Sequence, residues 1–162
     1  MTLSRRFVTS LSGCVNGLTV FGGIALTGLM LAQVIMRYMM ESGFLGIEEV
    51  GVLLGVWFYF LGMALATRSG EQIRGGIADL LVTSPRGRWL LAVYETGFTL
   101  IANTIFCWLA LQYTLSLFES GRTSTYMSWP TWLWAASMAC GFLLATLFSL
   151  RQCLRLIEER RA

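Results

Sequence analysis

The side chains most able to do chemistry in this sequence are a tandem acidic pair, Glu48 and Glu49, and a third glutamate, Glu95, followed at helical spacing by Thr99 and Asn103. Adjacent carboxylates admit three readings. They can sit at a helix N-terminus, whose partial positive charge favours them. They can be docking charges for an extracytoplasmic partner, or they can form an ion site. We rank them in that order. Residues 95, 99 and 103 follow i, i+4, i+8 and share one face of a helix. That line suits an ion or proton path, or interhelical hydrogen bonding with Glu95 paired to Arg68 or Arg88; the hydrogen-bonding reading is the plainer one. All twelve basic residues are arginine, and histidine is absent. A bis-His haem, a His-ligated metal and a histidine base are therefore excluded. Cys14, Cys107, Cys140 and Cys153 form no C-x-x-C pair, and each lies in or beside an apolar stretch. They read as small buried hydrophobes. With no nucleophile–base pair, phosphate loop or metal cluster, no residue is assigned to catalysis, metal or substrate binding, and an enzyme is not expected.

The elements that carry these residues follow from hydropathy. With 56% hydrophobic residues, 13% charged residues and a mean hydropathy of +0.65, the composition is that of an integral membrane protein with no sizeable soluble domain. No basic-aromatic patch suggests nucleic acid. We expect an all-α membrane domain over residues 1–162, with four spans at about 15–36, 45–67, 89–117 and 129–150. Residues 1–12, with Arg5 and Arg6 among apolar neighbours, read as a short amphipathic lead-in at the membrane surface. The second span opens on Glu48 and Glu49, carries no charge from Val50 to Thr67, and is closed by Arg68. On it Gly51, Gly55 and Gly62 fall within about 40° of one another, a stripe where another helix can approach closely. Between spans two and three, Ile73, Ile77, Leu80 and Leu81 follow i, i+4, i+7, i+8 with Arg74 and Asp79 opposite. This predicts an interfacial amphipathic helix over 72–83, ended by Ser84-Pro85. Pro130 is expected in the first turn of span four, where its missing N–H is harmless.

Four spans place both termini on one side with the loop between spans two and three. That side holds Arg5, Arg6, Arg68, Arg74, Arg86, Arg88, Arg151, Arg155, Arg160 and Arg161, and the other only Arg37 and Arg122. The asymmetry puts the termini in the cytoplasm. Trp129, Trp132 and Trp134 then mark the outer interface and Trp89 the inner one, with Arg68 and Arg74 as further anchors. Arg37, at the outer end of span one, is placed to pair with Glu48 or Glu49 across the short loop.

Several stretches together resemble a known family. They are Arg37; Glu48-Glu49 with Trp57; Phe60-Leu61-Gly62-Met63-Ala64-Leu65-Ala66 with Arg68; Glu71-Gln72-Ile73 leading to Asp79-Leu80-Leu81; and Met127-Ser128-Trp129-Pro130 with Gly141. The layout is similar to the DctQ-like small membrane subunit of tripartite ATP-independent periplasmic (TRAP) transporters. It departs from the family at Gly46-Ile47, where a Trp commonly stands, and at Gln72, often a His. The resemblance implies an accessory subunit of the bacterial inner membrane. Its partners would be a large elevator-type subunit holding the sodium and substrate sites, a periplasmic binding protein delivering an organic acid, and membrane lipid. No cofactor is implied in this chain beyond bound phospholipid. The resemblance makes Gly51, Gly55, Gly62, Glu95, Thr99 and Asn103 candidates for packing on the large subunit. Arg37, Glu48, Glu49, Glu119 and Arg122 become candidates for docking the binding protein.

Three other four-span readings stand beside it. The small subunit of a tripartite tricarboxylate transporter is nearest. A quinone-linked thiol oxidoreductase would need paired cysteines at the outer surface. A small multidrug exporter would need an acid in the middle of span one, where Val15–Met36 has none.

Overall fold

The computed structural model describes residues 2–39, 46–69 and 84–161. The described residues form four helices: α1 (Thr2–Met39), α2 (Gly46–Ser69), α3 (Pro85–Glu119) and α4 (Trp132–Arg161). Each contains a stretch long and apolar enough to cross a membrane. The interfacial helix expected over 72–83, with Arg74, lies outside the described residues, as does most of the loop between α1 and α2.

Three boundaries differ from those read from the sequence. The amphipathic lead-in is not a separate element: α1 runs unbroken from Thr2, because Gly13 alone does not stop a helix that has no proline. Pro85 opens α3 instead of only closing what precedes it. Ser84 is the N-cap at ψ 133°, and its carbonyl takes the Arg88 N–H at 3.0 Å. Proline suits the first helical position because no N–H is needed there. Pro130, in contrast, precedes α4. It lies in an isolated antiparallel bridge with Thr123, and α4 begins at Trp132. The 35 residues of α3 give about 52 Å of helix, well beyond a hydrocarbon core of ~30 Å.

The helices pack in series, α1 on α2, α2 on α4, and α4 on α3. Individual side chains fix their directions. Met30 and Gly23 of α1 lie at Gly51 and Phe58 of α2, an antiparallel pair. Gly141 lies at Phe60, and Gln152 donates to the Thr67 carbonyl at 2.7 Å, so α2 and α4 run parallel. Trp89 donates to the Leu156 carbonyl at 3.3 Å and Asn103 to Ser149 at 3.2 Å, so α3 is antiparallel to α4. The four described helices thus run up, down, up, down, with the parallel pair α2 and α4 in the middle of the row.

The sequence of α4 explains its central place. At ~100° per residue, Ser137, Gly141, Phe148 and Gln152 fall within about 60°, and on that face Gly141 and Gln152 meet α2. Trp132, Ala135, Ala139, Phe142 and Ser149 occupy a second face toward α3. Both faces include small residues, which let helices approach closely in lipid, where close packing replaces hydrophobic gain. Buried residues make up 39% of the most apolar stretch of α4 and none of that of α1. The outward sides of α1 and α3 carry exposed Phe21, Ile24 and Leu31, and Phe98, Ile105 and Trp108. Hydroxyls within the helices look after themselves: Thr19, Thr67, Thr114 and Thr146 each donate to a carbonyl four residues back.

Candidate functional site: a platform on the second helix

The most elaborated part of the molecule is the segment joining α3 to α4, which a sequence reading treats as a polar loop. Here it is an ordered element. Ser124 N–H donates to the Trp129 carbonyl at 2.7 Å, Thr131 N–H to the Arg122 carbonyl at 3.0 Å, and Trp129 N–H to the Ser124 hydroxyl oxygen at 3.2 Å. Two residues turn the chain with positive φ, Gly121 at 60° and Ser128 at 55°. Glycine adopts that conformation freely, whereas serine does so at some cost.

Glu49 straps this element to the start of α2. Its Oε2 accepts from the Ser124 hydroxyl at 2.6 Å and the Met127 N–H at 3.1 Å, and its Oε1 from the Tyr126 N–H at 2.9 Å. Charge-assisted bonds of this kind are shorter and stronger than neutral ones. Two stretches far apart in the sequence, Glu48-Glu49 and Met127-Ser128-Trp129-Pro130, therefore form one unit. The carboxylate of Glu49 is turned to this loop and not to Arg37, which is exposed at the end of α1. Glu48 is also exposed. It lines a cleft of about 530 Å³ whose other walls include Thr123, Tyr126, Thr131 and Trp134. Beyond Thr131 and Trp134 a second cleft, about 350 Å³, is lined by Arg122, Tyr113 and Leu117.

The other sequence candidates fall elsewhere. Gly51 is buried against α1 of the same chain, whereas Gly55 and Gly62 have open space above their Cα atoms. Glu95 and Thr99 are half-buried on α3. Asn103, on the same line, donates across to Ser149 of α4, so its polarity serves this chain's own fold. Glu119 is exposed as the last residue of α3. At the far end, Trp89 and Gln152 clamp the helix ends. Gln152 reaches the carbonyls of Thr67 and Arg68 at 2.7 and 3.3 Å. Trp132 meets Phe118 edge-on at 5.8 Å between ring centres, at the opposite end of the same α3–α4 pair.

Sequence reasoning passed over Ser124, Gln152 and Ser149. Each is a polar residue whose partner lies far along the chain, 75 residues away for Ser124, and spacing on one helix cannot disclose it. Spacing on one helix likewise does not disclose the close backbone approach at Gly141. A Cβ on Gly141 would sit 2.9 Å from the Phe60 carbonyl oxygen and 2.7 Å from its Cβ.

Comparison with individually curated proteins returns no match. A family model does match, that of the DctQ component of the tripartite ATP-independent periplasmic transporters, over residues 26–159. The match begins within α1 and ends within α4, so it takes in part of α1, all of α2 and α3, most of α4 and both halves of the Glu49-strapped platform. The chain belongs to the DctQ family, the small membrane component of TRAP transporters.

Proposed function

We propose that this chain is the scaffold of a sodium-driven transporter for organic acids in a bacterial inner membrane. In this reading it braces the static part of a large elevator-type subunit and supplies part of the periplasmic surface on which the binding protein docks. The sodium and substrate sites belong to the large subunit. The spans support that division, because ionisable groups in a bilayer are kept only for function and the centres of these four carry none. The arginine asymmetry supports cytoplasmic termini, which turns the Glu49-strapped platform toward the periplasm. That platform is the observation that carries the docking reading: an ordered, polar element held at one end of an otherwise apolar row, with Arg37, Glu48, Glu119 and Arg122 exposed around it. The open Gly55 and Gly62 positions of α2 and the exposed apolar sides of α1 and α3 are the surfaces for the large subunit and for phospholipid.

The test is affinity purification through a tag after Ala162 in mild detergent, with mass spectrometry of the eluate. Stoichiometric recovery of one larger polytopic protein is expected. Recovery of this chain alone, as monomer or homo-oligomer, would overturn the scaffold reading.

A further inference from the structure

The docking reading leaves open what the platform receives, and the two adjacent glutamates narrow it. Glu49 is committed: both of its oxygens are engaged by the loop between α3 and α4. Glu48 stays exposed on the first cleft, where no arginine is among the described residues that line it. The second cleft has the opposite character, with exposed Arg122 on its wall and no acidic residue among the described residues that line it. Thr131 and Trp134 line both and separate them. The platform therefore presents a negative and a positive recess side by side across one indole.

We infer that these paired clefts take a charge pair from the soluble periplasmic component, a lysine or arginine side chain beside Glu48 and a carboxylate beside Arg122, with Trp134 between them. The inference rests on the docking reading above and adds the partner's chemistry and register. Two recesses of opposite sign fix orientation as well as attraction, since a partner turned end for end would meet like charges. A cation in the first cleft also gains from a neighbouring aromatic ring. A metal ion fits less well. Among the described residues no three of His, Cys, Asp and Glu come together to hold one. Glu49 acts through the loop as a positioning residue, holding Tyr126 and Ser124 where they wall the negative recess.

The experiment measures binding of the substrate-loaded periplasmic component to the complex of this chain with its large subunit. The complex is held in nanodiscs and read by biolayer interferometry at low and high salt. Glu48→Arg and Arg122→Glu are each expected to raise Kd about tenfold or more, mainly through slower association, with the gap narrowing as salt rises. Arg155→Gln, at the opposite end of α4, should leave Kd unchanged. If a reversal prevents assembly, Glu48→Gln and Arg122→Gln replace it, with roughly threefold weakening expected. Binding by the reversed or neutralised variants within error of the wild type would overturn the charge pairing and leave docking intact. Failure of the wild-type complex to bind at all would overturn the docking reading beneath it.

Discussion

The two flanks of α2 use small residues in opposite ways. Toward α4, Gly141 lets backbone meet backbone: an added Cβ would lie 2.9 Å from the Phe60 carbonyl oxygen and 3.1 Å from its carbonyl carbon. Toward α1, glycine instead makes room for a side chain. The Phe58 ring edge would stand 2.9 Å from a Cβ on Gly23, and the Met30 methyl 2.5 Å from one on Gly51. A glycine in a membrane helix therefore has two meanings. Where the neighbour is backbone, the gap cannot be recovered by any local movement. Where the neighbour is the end of a side chain, the gap is as adjustable as that side chain is free.

Gly141→Ala is the largest test of this contrast. The new methyl has no rotamer to escape into, so the parallel α2–α4 pair must separate. That separation pulls apart the Gln152 bridge to Thr67 and the tilted Phe60–Phe142 ring pair, whose centres are 5.9 Å from each other. Overpacking of a close-packed seam costs about 2 kcal/mol, which should appear as a clear drop in the thermal midpoint of the detergent-solubilised complex. An unchanged midpoint would mean that α4 can slide along α2 and that the close approach is incidental.

Gly23→Ala should follow with a smaller loss. Its obstacle is one edge of an exposed aromatic ring, and Phe58 can swing away from α1 by rotating about χ1. The gain in helix propensity on replacing glycine, up to ~1 kcal/mol, offsets part of the cost. We expect a net loss of under ~1 kcal/mol in the same assay. Restoration by Phe58→Leu in the double mutant would confirm the ring as the obstacle; a loss equal to that of Gly141→Ala would not fit an adjustable seam.

How far the sequence discloses these differences depends on what each feature needs. The four spans are legible because hydropathy and helix length are properties of one segment at a time. The glycine stripe at 51, 55 and 62 is legible for the same reason. What stands opposite each glycine is not, and the stripe divides accordingly: α1 of the same chain covers Gly51, while Gly55 and Gly62 remain open. Pro130 illustrates the limit at an element boundary. Proline suits a first helical turn, but here Ser124 has already drawn Trp129 into the loop through two hydrogen bonds, so the helix starts later. Glu49 illustrates it for the platform. Its position at a helix N-terminus is visible in the sequence, and its role as the loop's strap is not, because the three groups it holds follow 75 to 78 residues later.

Gly51→Ala should have the smallest effect of the three, although its nominal approach is the shortest. The atom in the way is the terminal methyl of Met30, on a side chain 41% exposed at the outer side of α1, and the next neighbour, Leu29 Cδ2, is at an ordinary 3.6 Å. Methionine has three rotatable bonds and adapts readily to irregular space, so its tip can move into lipid with little loss. Against that loss stands the same helix-propensity gain as at Gly23. The two should nearly cancel, leaving stability within about 0.5 kcal/mol of the wild type. Because cancellation alone is weak support, the double mutant decides. In a Met30→Ala background the obstacle is gone, and Gly51→Ala should then be stabilising by more than it is alone, a coupling of about 0.5 kcal/mol. If Gly51→Ala is instead as damaging as Gly141→Ala and Met30→Ala does not relieve it, α1 must be pressed on α2 by backbone as well. The two flanks would then be alike.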